Sequence, residues 1–316
     1  MPEFTITSDG FEKYTSQQEL EALLAKLDSL RTGIEIYDWQ GTPNIEYHFY
    51  FSGHSQEADF VGLQDAIRDA DVVIPEIPGW THNSLVDLRK VAKGKSYARK
   101  SQRAAGVLSV EDTKRIFGDR ESLESALFDT RKRVEAIDLP YDKAAELHAK
   151  MSRALMFRFD EFDNLDDMIA HFAYGKALEA KFQLSREAHM MESLERLFSQ
   201  ETNPLKALIM LGADHTFIAR QLQRKGELVR RTFYPKPLVY TYRDELSRRL
   251  IYGKEFDKDL VLKAMVEGSL VLAGGNIFEG AANTVEAGWA GRLAIDQYSK
   301  EQLKDFVSSK LKPKTE

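Results

Sequence analysis

The period of the apolar positions changes several times along the chain. In residues 16–30, Leu20, Leu23, Leu24, Leu27 and Leu30 recur at helical spacing and predict an amphipathic helix that covers a sheet. Two runs rich in Ile and aromatics follow, 33–38 and 45–51, joined by Gly41-Thr42-Pro43-Asn44, whose composition is that of a turn. An antiparallel hairpin is their simplest arrangement. Residues 56–70 return to helical spacing at Phe60, Leu63 and Ile67 and lead into a strand over 72–77. Strand, helix and strand in so short a stretch predict a βαβ unit, whose crossover is right-handed.

Between 81 and 201 the strand signal nearly vanishes, and helical patterns succeed one another around 85–91, 110–117, 123–137, 144–159, 168–182 and 189–198. Strand character returns at 207–211, followed by a helix over 217–223, a terminator at Gly226 and a strand over 228–233. Pro235 and Pro237 close the sheet region, and the remainder reads as helices with a glycine-rich interval at 268–291 that suggests a close-packed helix pair or a lid. The expected fold is α/β: a mixed, largely parallel sheet flanked by helices, with a large helical insertion between two strand-helix-strand units. Residues 33–80 and 205–234 would carry the sheet, 81–204 the insertion and 238–312 a helical C-terminal region. No repeat or linker interrupts the chain, so 1–316 is expected to form a single elaborated domain.

A hydrophobic content of 43% in 316 residues supports a sizeable core. The net charge of −6 argues against a general nucleic-acid binder, which needs a basic face. With no cysteine, any metal would have to use His, Asp, Glu or water. The first residues lack the basic start and apolar run of a signal peptide, and no long uncharged apolar stretch predicts a membrane span, so a cytoplasmic protein is expected.

Candidate chemistry gathers where strand-like runs end. His54 follows Phe51-Ser52-Gly53, and His215 follows Leu211-Gly212-Ala213-Asp214; in both cases an apolar run stops at glycine, a histidine follows, and a helical pattern begins. The run Asp71-Val72-Val73-Ile74-Pro75 ends on Glu76. In an open parallel sheet the carboxyl ends of the strands share one edge, so His54, Glu76 and His215 are expected at a common rim. Two imidazoles and a carboxylate suit a divalent ion, or can act on water directly. Gly53 and Gly212 would let backbone amides approach a ligand, and Asp214 is a candidate helix N-cap or ligand-binding group. Arg186, Glu187 and His189 form a second cluster: Arg186 and Met190 share a helical face beside Glu187, which places an arginine where it could bind a carboxylate or phosphate, and His189 can sit beside Ser185; the alternative is an ordinary surface Arg and Glu beside a buried Met. His48, His82, His148 and His171 have no supporting spacing and read as structural or surface residues.

Arg89, Lys90, Lys93, Lys95, Arg99, Lys100 and Arg103 form a basic run without an acidic residue, either a solvated loop or an attractor for an anionic substrate. His-Glu-x-x-His, the P-loop, Gly-x-Gly-x-x-Gly after a strand, and Gly-x-Ser-x-Gly are all missing, which removes zincins, P-loop nucleotide hydrolases, typical dinucleotide enzymes and typical α/β-hydrolases.

Taken in order, Gly53-His54 after a strand, Glu76 after a strand, Arg186 with Met190 on a helix, and Gly212-x-x-His215 before a helix ending in Gly226 resemble the TraB/TIKI family, within the group that also holds ChaN-like haem-binding proteins and erythromycin esterases. The resemblance covers about residues 45–234. It departs at the first motif, where glycine immediately precedes His54 in place of the usual Gly-x-x-His. It implies a hydrolase of peptide or ester bonds: metalloprotease-like with manganese, cobalt or zinc held by His54, Glu76 and His215, or esterase-like with histidine and glutamate acting on water. The ChaN-like members imply a second reading, a non-catalytic binder of haem or a small ligand with a histidine or Tyr47 as axial ligand. The expected partner is a small-molecule or peptide substrate, and homo-oligomer formation is left open.

Overall fold

The computed structural model describes residues 17–52, 62–76, 132–155, 159–234, 240–272 and 284–311. Five strands form one sheet: β1 (Ile45–Ser52), β2 (Val72–Pro75), β3 (Arg133–Val134), β4 (Leu205–Gly212) and β5 (Leu228–Tyr234), in the order β3-β2-β4-β1-β5. Every pairing is parallel. The helices are α1 (Gln17–Ile36), α2 (Leu63–Asp69), α3 (Tyr141–Leu155), α4 (Leu165–Phe198), α5 (Thr216–Arg224), α6 (Tyr242–Ile251), α7 (Lys258–Leu272), α8 (Thr284–Asp296) and α9 (Lys300–Ser308), with a 3-10 turn at Phe159–Glu161. The chain is thus α/β with a parallel sheet flanked by helices. No helix among the described residues is long and apolar enough to cross a membrane.

The molecule divides into two compact units. One takes its described residues from Tyr37–Ala144 and Arg186–Leu238 and contains the whole sheet; the other takes them from Pro2–Ile36, Ala145–Ser185 and Val239–Glu316 and is helical. The stretch expected as one helical insertion is therefore shared between the two.

In the sheet unit, residue type explains the strands. The central strands are buried along most of their length, as a parallel sheet covered on both faces requires. Tyr47, Phe49 and Phe51 alternate onto one face of β1, where Phe49 stacks on Phe51 at 5.8 Å, Phe51 on Phe233 at 4.9 Å, and Tyr47 meets Phe198 edge-on at 6.2 Å. The hairpin expected from 33–38 does not form. Gly33 to Ile36 are the last residues of α1, so β1 has no antiparallel neighbour and lies between two parallel ones. Short Ile-containing runs satisfy helix and strand patterns equally, and here the upstream leucine periodicity carries the helix through.

Three further expectations change. The helix expected over 123–137 contains, in its described part, the strand Arg133–Val134, too short to show an alternation. The helices expected at 168–182 and 189–198 are one continuous helix of 34 residues, α4. The helix expected over 56–70 is α2, beginning at Leu63 in the described residues. Gly226 does terminate α5: it has φ 90°, its N–H bonds the carbonyl of Gln223, and the N–H of Glu227 bonds that of Leu222, which together make a Schellman cap.

The connections set the position of the rim. β1 and β4 are hydrogen-bonded neighbours, yet the chain leaves β1 through α2 toward β2 on one side and leaves β4 through α5 toward β5 on the other. In parallel sheets, crossovers that leave adjacent strands in opposite directions mark the strand pair beyond whose carboxyl ends ligands bind, here β1 and β4.

Candidate functional site

All described site residues lie in the sheet unit, at the carboxyl ends of its strands. Glu76 follows β2 directly, Asp138 lies four residues beyond β3, His215 is the N-cap residue of α5 after β4, and Arg186 and Glu187 come from α4. Their side chains form one salt-linked cluster. Arg186 Nε donates to Asp138 Oδ1 at 3.0 Å and its Nη2 to Asp138 Oδ2 at 2.5 Å, a two-pronged pairing. Nη2 also donates to Glu76 Oε1 at 2.7 Å, and Nη1 lies 3.0 Å from His215 Nε2. His215 Nε2 is 3.1 Å from the same Glu76 Oε1, while Glu76 Oε2 accepts from the backbone N–H of Gly212.

The opposite edge of the imidazole faces Glu187. Nδ1 of His215 lies 3.3 Å from Glu187 Oε1, an ion-pair distance that does not meet hydrogen-bond geometry, and it has no other partner among the described residues. Glu187 Oε2 accepts from the N–H of Ile218 at 2.6 Å. That donor is one of the free amides in the first turn of α5, and since the His215 side chain makes no capping bond, Glu187 caps the helix from α4.

Burial grades the cluster. The Glu187, Asp138, His215 and Arg186 side chains are 0%, 2%, 3% and 7% exposed, against 14% for Glu76, the member nearest to solvent. Three carboxylates surround one guanidinium and one imidazole. Burial pulls the His215 pKa down and Arg186 opposes a second positive charge, but Glu76 and Glu187 outweigh both and raise it to about 9. The Arg186 guanidinium, although desolvated, is held charged by Glu76 and Asp138.

The structure thus brings together Glu76, Arg186, His215 and the amide of Gly212. His54 and Gly53 lie outside the described residues, as do His82 and the basic run 89–103. Asp214 is half-buried and precedes the N-cap, which is His215; the expected capping role falls instead to Glu187. Arg186 and Glu187 are not the surface pair of the alternative reading but are both buried. Nor is Arg186 free to hold a substrate anion, because its fork is taken by Asp138. Asp138 has little signal in the sequence, only an acid inside the apolar stretch Ile137-Asp138-Leu139-Pro140. Of the other described histidines, His48 bonds Thr232 Oγ1 at 2.9 Å, His148 meets Phe182 edge-on and His171 lies against Phe162, while His189 is half-buried on α4, where burial lowers its pKa.

The described donors do not fit a divalent ion. An ion between Glu76 Oε1 and His215 Nε2 would sit against Arg186, whose nitrogens already lie 2.7 and 3.0 Å from those two atoms, and two cations would then share one pocket. No metal-binding group of three or more His, Asp or Glu side chains occurs among the described residues. For haem, the Tyr47 hydroxyl is buried and bonded to Thr42 Oγ1 at 2.8 Å, and His215 Nε2 is engaged by Glu76 and Arg186, so either would have to leave its partners.

No protein-family model, curated protein or solved structure matches the chain.

Proposed function

We propose that the chain is a hydrolase of ester or peptide bonds that activates water with Glu76 and His215 and uses the Arg186 guanidinium as its fixed cation. The supporting observation is a carboxylate, an imidazole and a guanidinium within 3.1 Å of one another at the carboxyl ends of parallel strands. The order and spacing of residues that resemble the TraB/TIKI and erythromycin esterase group point to the same class. His54, two residues beyond β1 in the sequence, is the further candidate for this site.

In this reading Glu76, as the most exposed member, orients the attacking water and takes its proton as the new bond forms. The proton moves as the attacked carbonyl carbon begins to bond. His215, charged at neutral pH by its two carboxylates, stabilises the developing oxyanion and gives its Nε2 proton to the leaving group. Arg186 holds Glu76 in place, and Asp138 keeps Arg186 from turning toward the substrate.

A panel of p-nitrophenyl esters, lactones and fluorogenic peptides, assayed with wild type, Glu76→Gln and His215→Gln, tests the proposal. Turnover by wild type with losses of about 10²- to 10⁴-fold in each variant is expected. Undiminished turnover in both variants, provided circular dichroism shows them folded, removes these residues from the chemistry.

A further inference from the structure

Glu187 is fully buried and faces the imidazole of the site. Its two oxygens have separate tasks. Oε2 is tied to the Ile218 N–H at 2.6 Å, in the first turn of α5, and that turn begins at His215. Oε1 is left facing Nδ1 of the same histidine at 3.3 Å. One carboxylate on α4 therefore holds both the helix that presents His215 and the ring itself. The other side of the ring agrees: Arg186 Nη1, a donor that never accepts, lies 3.0 Å from Nε2 and favours a lone pair there whenever the ring is neutral. Glu76 Oε1, at 3.1 Å from Nε2, favours the opposite arrangement.

We propose that Glu187 is the positioning residue of this site, fixing the His215 ring with the Nδ1 proton toward itself, so that Nε2 is the nitrogen offered to Glu76 and to a substrate. A carboxylate behind an imidazole selects which nitrogen carries the proton and prevents the ring from flipping. The placement is independent of the reaction; only its kinetic consequence rests on the hydrolase reading.

The test is a long-range proton–nitrogen correlation spectrum of the full chain labelled with ¹⁵N-histidine, followed to a pH at which the His215 ring is neutral. The His215 signal is identified by its loss in His215→Gln. The expected wild-type ring is protonated at Nδ1 by at least about tenfold over the other tautomer. In Glu187→Met, which leaves Glu76 as the only carboxylate facing the ring, the preference reverses to Nε2. A wild-type ring protonated at Nε2, or the same tautomer in wild type and variant, overturns the proposal. The wild-type spectrum decides the first point even where Glu187→Met does not fold, and Glu187→Gln, which keeps one acceptor for Ile218, is the second variant. Under the hydrolase reading, kcat in Glu187→Met falls about 100-fold with KM little changed, as for a misplaced reacting group. A reversed tautomer in a chain that hydrolyses nothing leaves the positioning role standing and removes the hydrolase reading instead.

Discussion

Arg186 carries the charge balance of the site, and its partner Asp138 is the residue whose loss is felt most. Asp138→Asn strips a two-pronged partner from a buried guanidinium and is expected to destabilise the fold by about 3–5 kcal/mol, measured by urea unfolding. Asp138→Leu combined with Arg186→Met leaves no unpaired buried cation at that position and is expected to cost less than the two single changes added together. Additive losses would show that the pair is not coupled. The raised pKa of His215 has its own consequence. Because the folded-state value of about 9 lies above the ordinary 6.5, the associated stability is fully present below about 6.5 and disappears as the pH rises through 9. Wild type should therefore lose stability across that window, and His215→Gln should lose less; equal slopes would contradict the imidazolium. Glu76 and His215 were legible because they end or follow strong apolar runs, and Arg186 because it shares a helical face with Met190. Asp138 and the capping role of Glu187 were not, because each depends on a partner remote in sequence.

At the scale of the element, α4 shows why helical patterns break near functional sites. Gln183, Arg186 and Glu187 are buried polar residues close together near the middle of the helix, with Lys176 and Ser193 the more scattered buried polar positions on either side, so the amphipathic stripe looks like two helices with a gap. The gap is where the helix faces the site. At the far end of α5, Gly226 occupies a left-handed position that a Cβ would strain although no neighbouring atom crowds it. Gly226→Ala is accordingly expected to cost about 1–2 kcal/mol by thermal unfolding, with no change in site residues. A neutral result would mean that the Schellman turn relaxes without penalty. The strand-helix-strand units were legible from periodicity, whereas β3, with two residues, has no period to read, and the continuation of α1 through Gly33 overrode a local strand preference.

For the whole molecule, the topology ties distant parts of the sequence together. β4 lies between β1 and β2, so the sheet needs residues 45–75 and 205–234 at once, and neither compact unit is contiguous in the chain. Fragments 1–144 and 145–316, expressed separately, are expected to lack cooperative unfolding and to recover it when mixed; independent cooperative folding of the first fragment would contradict this sheet order. The rim itself follows from the same topology, since β1 and β4 are adjacent strands whose connections depart in opposite directions. Under the hydrolase reading, a guanidinium-linked carboxylate and imidazole at this rim do the chemistry without a metal ion between them. It is tested most directly by measuring hydrolysis of the ester and peptide panel by chelator-treated wild type and Glu76→Gln, each with and without added manganese, cobalt or zinc. The account predicts wild-type turnover that survives chelation, does not rise with added metal and falls at least about 100-fold in Glu76→Gln; turnover that appears only with metal, or that Glu76→Gln retains, would contradict it.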